Sequence, residues 1–371
     1  MEKKAQSEKI QTDTFLAQIG NHQNPVTGSI NTPIYFSTTY EHPTLGESTG
    51  YDYTRTKNPT REVVESALAV LENGAVGLAT SSGMSAVQLV FSQFPVGSQI
   101  VASRDLYGGS YRYFKELEKQ GIYQFVYVDE EADFERAITN KTAAVFIETP
   151  TNPLMSEVSI EKIAIFTKHH NVQLIVDNTF YTPLIQRPLE LGADIVLHSA
   201  TKYLGGHNDL LAGAVITRSK EVGERLAYNL NTTGAVLSPF DSWLLIRGMK
   251  TLSLRMERHE ENAQAVVSYL KTSPYVKDVM YPGRGGMLSF KIKDQKMIKE
   301  FLRNLSIFTF AESLGGVESL ITYPTTQTHA DIPKELRESY GLTPDVLRIS
   351  TGIEAGTDLI ADLKQAFESL K

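Results

Sequence analysis

The chain has 371 residues, 41% of them hydrophobic and 21% charged, with a formal net charge of −7 and no cysteine. The length suggests about two to three ordinary globular domains, and the acidic balance argues against nucleic acid or an anionic membrane as the main partner. The lack of cysteine removes disulfides, thiolate metal sites and a cysteine nucleophile together.

The first twenty residues, MEKKAQSEKIQTDTFLAQIG, start basic but carry no apolar run, which argues against a signal peptide. No stretch reaches the ~18 apolar residues of a membrane span, so a cytoplasmic location is expected. Residues 1–58 are rich in Thr, Pro, Gly and Tyr with little periodicity, and read as an extended arm. The segment REVVESALAVLENG then sets Val63, Val64, Ala67, Leu68 and Leu71 on one helical face, with Gly74 as a stop. Seven short apolar runs follow: AVGLAT, SQIVAS, YQFVYV, AAVFIE, VQLIVD, ADIVLH and LAGAVIT. Amphipathic segments such as YRYFKELEKQG and SIEKIAIFTKHHN lie between most of them. Apolar strands alternating with helices predict an α/β domain over 59–250, its mainly parallel sheet covered on both faces. A long helical pattern from SPFDSWLLIRGMKTL to NAQAVVSYLKTS, bent near Gly248, leads into a smaller α+β domain over 251–371. That domain reads as strand, strand, helix, strand, strand and a closing helix.

There is no GxGxxG after a strand and no GxxxxGK[ST], which lowers the dinucleotide and P-loop readings. His259-Glu260 lacks the second histidine of a zinc helix, and His169 and His170 read as solvated, so no metal is expected.

The strongest local signal is DIVLHSATKYLGGHNDLLAG, where an apolar strand runs into Ser199, Thr201 and Lys202. A desolvated lysine at a strand end can form a Schiff base; a surface loop lysine is the competing reading. Asp177 closes LIVD, at the strand end where open α/β sheets bind ligands. A carboxylate there can hold a pyridinium nitrogen protonated, or simply cap a turn. In ATSSGMSAVQLVF a strand ends at Ser81-Ser82-Gly83 and a helix begins at once, which makes either an anion site or a plain capped start. Tyr107 and Arg112 in DLYGGSYRYF offer a ring to stack on a heteroaromatic and a clamp for a carboxylate. A packed tyrosine and a solvated arginine compete with those roles. Tyr53 and Arg55 are polar groups on the arm that could complete an anion site, in this subunit or a neighbour. Arg348, alone in the apolar strand VLRISTGIE, needs an anionic partner, either a structural carboxylate or a substrate.

Together these motifs resemble the γ-family of pyridoxal phosphate enzymes of cysteine and methionine metabolism, from TPIYFSTTY at Thr32 to the final helix. HSATKYLGGHNDLLAG with ESLGGVESL is the most specific part. The resemblance implies a fold type I, aspartate-aminotransferase-like protein with an N-terminal arm, a large cofactor domain and a small C-terminal domain. It implies pyridoxal 5′-phosphate as cofactor, small amino-acid substrates, and a homotetramer of two active dimers with shared sites. Lys202 then becomes the Schiff-base lysine, Asp177 the pyridinium partner and Tyr107 the stacking residue. Gly83, Met84, Ser199 and Thr201 become the phosphate cradle, joined by Tyr53 and Arg55 of an adjacent subunit. Asn152, in ETPTNP, stands near the ring hydroxyl and substrate, and Arg348 clamps the α-carboxylate, helped by Ser313.

Within the family, Glu312 before Ser313 in AESLGG is similar to the γ-synthase and γ-lyase pattern. Gly109 stands where methionine γ-lyases typically have cysteine, and Arg112 suits a substrate with a distal carboxylate. Only Gly283, Arg284 and Gly285 separate VMYP from GMLSF. That short form resembles the bacterial cystathionine γ-synthase/O-acetylhomoserine thiolyase branch. The resemblance thus implies replacement at Cγ of an O-acylated homoserine by cysteine or sulfide, with cystathionine γ-lyase activity as the rival.

Overall fold

The computed structural model describes residues 10–22 and 24–370; the first nine residues of the expected arm, with residues 23 and 371, lie outside the described residues. The arm is largely irregular, but it holds a helix at Thr12–Gln18 that its composition did not announce. Leu16 of that helix is fully buried, and Lys250 Nζ donates to Ala17 O at 2.9 Å, so the arm's start is docked on the body.

Pro59–Leu71 forms the first long helix, as its periodicity predicts. Asn58 caps it by accepting from Thr60 and Arg61 N–H, and Pro59 fills the first turn, where a missing N–H costs nothing. The seven apolar runs all become strands: β1 Val76–Thr80, β2 Gln99–Ser103, β3 Gln124–Val128, β4 Thr142–Glu148, β5 Gln173–Asp177, β6 Ile195–His198 and β7 Gly213–Thr217. They form one sheet in the order β1-β7-β6-β5-β4-β2-β3. β2 to β6 run parallel, while β7 runs antiparallel to both β6 and β1. Helices 59–71, 160–169 and 239–249 pack one face, and 83–91, 108–119 and 220–233 the other. The carboxyl ends of β1, β2, β4, β5 and β6 therefore open on one side.

The expected bent helix is two helices, Pro239–Met249 and Leu252–Thr272, broken at 250–251. The second joins two cores: Leu252 and Met256 pack with the large sheet, Ala263, Val266 and Leu270 with the small one. The small sheet has five strands, not the four expected: β8 Val276–Met280, β9 Met287–Ile292, β10 Thr309–Phe310, β11 Leu320–Thr322 and β12 Val346–Ser350. The extra one, β10, is two exposed residues, too short to carry an alternation. The short turn at 283–285 is tied down: Gly285 N–H donates to Glu260 at 2.8 Å, and Arg284 lies 4.9 Å over the Tyr181 ring. Among the described residues no helix is long and apolar enough to cross a membrane.

Candidate active site

A cavity of about 460 Å³ lies beyond the carboxyl ends of the parallel strands and is closed by the small domain. Lys202 enters it from the turn after β6, where Thr201 N–H bonds Ala212 O and Gly206 N–H bonds Lys202 O. Its Nζ donates to Ser313 Oγ at 2.8 Å. Burial, aided by the nearby Arg348 charge and opposed by Glu312, pulls the Lys202 ammonium down to about 8. This is not a surface lysine.

Asp177 closes β5 one strand away. It accepts Thr179 N–H at 3.0 Å and Thr179 Oγ1 at 2.5 Å, while burial holds its carboxyl above the usual range. Glu148 closes β4 in register with Asp177, is buried, and accepts Tyr107 N–H at 2.9 Å. Burial and the neighbouring Asp177 push Glu148 well above an ordinary carboxyl.

Ser82 caps helix 83–91 by taking Ser85 N–H at 3.0 Å. The N–H groups of Gly83 and Met84, both on the cavity wall, have no intrahelical acceptor. A Cβ on Gly83 would lie 2.8 Å from that of Ser199, so only glycine lets this helix start meet residue 199. The result is a cradle of backbone donors with the hydroxyls of Ser199 and Thr201 beside it, suited to an anion.

Arg348 is 1% exposed and pairs with no carboxylate among the described residues. Neutral acceptors hold it: Asn152 Oδ1 at 2.8 Å, Ser313 O at 2.8 Å and Thr322 Oγ1 at 3.1 Å; its Nε has no partner. Burial draws the guanidinium down to about 10. Ser313 sits at φ +92°, a conformation fixed by these contacts to its hydroxyl and carbonyl.

Lys202, Asp177, Tyr107, Gly83, Met84, Ser199, Thr201, Asn152, Arg348, Ser313 and Glu312 thus share one cavity. Three expected residues stand apart. Arg112 is exposed and paired with Asp331. Tyr53 and Arg55 lie elsewhere on the surface, with Arg55 Nε donating to Asn231 at 3.3 Å and its guanidinium 5.7 Å over the Tyr53 ring. Sequence reading missed Glu148, His198 and Thr179 on the cavity wall. Glu148 and His198 left a usable signal, each a titratable residue closing an apolar strand as Asp177 does.

A seven-stranded sheet with one reversed strand, and a cavity built round a desolvated lysine, define the class as fold type I pyridoxal phosphate enzymes. The sequence matches the family described as Cys/Met metabolism PLP-dependent enzyme over residues 13–368. It is 58% identical over 362 residues to the cystathionine gamma-synthase/O-acetylhomoserine (thiol)-lyase of Bacillus subtilis (strain 168), covering 97% of each chain. It is 53% identical to the cystathionine gamma-synthase of Haemophilus influenzae, covering 97% of this chain and 98% of that one. The crystal structure of cystathionine gamma synthase from Xanthomonas oryzae pv. oryzae, in complex with aminoacrylate and cysteine, superposes with a TM-score of 0.95 at 37% identity, over 97% of this chain and 98% of that one. This chain belongs to the Cys/Met metabolism PLP-dependent enzyme family, and pyridoxal phosphate is its cofactor. The cavity fits that group: a lysine depressed toward neutrality, a carboxylate one strand over, and a cradle that a side chain at position 83 would fill.

Proposed function

We propose that the enzyme catalyses a γ-replacement on O-acetyl- or O-succinyl-L-homoserine. The acyl group leaves Cγ as a carboxylate and the sulfur of L-cysteine takes its place, giving L-cystathionine; sulfide in the same role gives homocysteine. The near-full-length likeness to synthases carries this reading.

Lys202 would bind the cofactor aldehyde, Asp177 its ring nitrogen, and Asn152 would lie beside its ring hydroxyl. Tyr107 would stack on the ring. Gly83, Met84, Ser199 and Thr201 would hold the phosphate, with Tyr53 and Arg55 reaching in from a neighbouring subunit of a homotetramer. When bound, pyridoxal phosphate supplies an electron sink for charge developing at the substrate's α-carbon. The chain's own groups do the rest. Lys202, with its amine free, would take the Cα proton and move protons at Cα and Cβ; an amine near pKa 8 both accepts and returns a proton near neutral pH. Ser313 Oγ, an acceptor for Lys202 Nζ, keeps that amine aimed into the cavity. Arg348, with a free Nε and no carboxylate partner among the described residues, takes the α-carboxylate. Glu312 borders the substrate, and Arg112 exchanges Asp331 for a distal substrate carboxylate.

Product analysis by mass spectrometry tests this. Acetyl- and succinylhomoserine are offered with cysteine or sulfide, and cystathionine is offered alone. Cystathionine from acylhomoserine plus cysteine is the expected product. Cleavage of cystathionine to cysteine, ammonia and 2-oxobutyrate with no synthesis would overturn the proposal in favour of γ-elimination.

A further inference from the structure

We propose that Glu148 is a positioning residue for Tyr107: its carboxyl, fixed at the end of β4, accepts the Tyr107 N–H and sets how that ring enters the cavity. The inference rests on the stacking role proposed for Tyr107.

Tyr107 is the residue before helix 108–119, and its own side chain makes no capping bond to that helix. Its backbone is instead held from the neighbouring strand, by Glu148 Oε2 at 2.9 Å. Glu148 is 6% exposed and belongs to a strand that pairs on both sides, so it is a rigid anchor. The ring has a matching constraint. A Cβ on Gly109 would come within 2.4 Å of Tyr107 Cε1, so the ring lies against bare backbone. A Cβ on Gly108 would meet Thr328 O at 2.0 Å, so the helix start itself cannot slide. Backbone anchor, helix start and ring seat leave Tyr107 one placement.

The charge state follows from Asp177 alongside. Two desolvated carboxylates at the ends of adjacent strands do not both ionise readily. Asp177 has two donors from Thr179, whereas Glu148 has the single Tyr107 N–H. The charge therefore rests on Asp177, and Glu148 acts as a neutral acceptor that glutamine can imitate.

The experiment measures, for the holoprotein, cofactor retained at equilibrium by absorbance and the circular dichroism of the bound cofactor. The variants are Glu148→Ala, Glu148→Gln, Tyr107→Ala and Glu148→Ala with Tyr107→Ala. Glu148→Ala is expected to weaken retention by roughly tenfold and alter the dichroism, Glu148→Gln to restore both, and the double variant to match Tyr107→Ala. An equal loss from Glu148→Ala with and without the ring would overturn the proposal, as would a glutamine no better than alanine. A damaging Tyr107→Ala beside a harmless Glu148→Ala sinks only this inference; a harmless Tyr107→Ala sinks the stacking role beneath it. Should Glu148→Ala not fold, Gly109→Ala displaces the ring by another route. It must change the dichroism, and an unchanged signal contradicts the proposed seat.

Discussion

At the scale of single residues, the chemistry depends on making one lysine unlike the rest. Burial and Arg348 lower the Lys202 ammonium to about 8, so near pH 8 about half of it is free amine, against well under 1% for an ordinary lysine. The rate at which cofactor-free protein takes up pyridoxal phosphate is therefore expected to rise with pH through about 8 and then level off. A rate still climbing at pH 10, followed by stopped-flow absorbance, would show that Lys202 is an ordinary amine. Lys202 and Asp177 were legible because each is a polar residue at, or just past, the end of an apolar strand. Glu148 carries the same mark and was passed over, since it acts through the backbone of Tyr107, far off in sequence. Arg112 read as a free clamp because Asp331 adjoins it only in the fold.

At the scale of elements, what was legible depended on burial. The large-sheet strands are covered on both faces and announce themselves as apolar runs. The helices at 12–18 and 334–339 and the exposed β10 are too short for a period to show. The segment before helix 334–339 brings in His329, which is fully buried and reaches Asn152 O at 2.9 Å and Leu106 O at 3.2 Å through Nε2. It ties the small domain to two loops of the active-site wall. Burial, with Arg348 nearby, lowers its pKa from 6.5 to about 4. A depressed histidine is neutral when folded and binds its proton sooner when unfolded. Its stabilising effect is thus complete above about pH 6.5 and is lost as pH falls toward 4, by on the order of 2–3 kcal/mol. Denaturant unfolding at pH 7 and pH 5 should show a smaller drop in His329→Gln than in the parent protein. Parallel drops would mean that His329 does not titrate in this window. His259, lowered to about 4 by its own burial, is unchanged in both proteins and serves as the internal reference.

At the scale of the whole molecule, the arm is the part whose purpose one chain does not display. It is exposed at Val26, Ile30, Phe36 and Leu45, and Tyr53 and Arg55 stand outside the cavity they were expected to serve. A residue that served another subunit would leave no mark of it in its own chain, so their sequence left open which subunit Tyr53 and Arg55 serve, and the resemblance pointed to the neighbour. If the sites are shared, Arg55→Ala should weaken cofactor binding by roughly tenfold or more, since charge-assisted bonds to a phosphate are among the strong ones. At a cofactor concentration too low to load Arg55→Ala, mixing it with the inactive Lys202→Ala protein should raise activity as subunits exchange, because some mixed dimers regain one intact site. No recovery, with exchange confirmed by native mass spectrometry, would place Arg55 in its own chain's service or in none. All of these readings converge on Lys202 as the point of cofactor attachment. The most direct measurement reduces the holoprotein with borohydride, digests it, and locates the cofactor-bearing peptide by mass spectrometry. The label is expected on Lys202, within HSATKYLGGH, and nowhere else in stoichiometric amount. A label on another lysine, or none on a protein that remains active, would contradict the account.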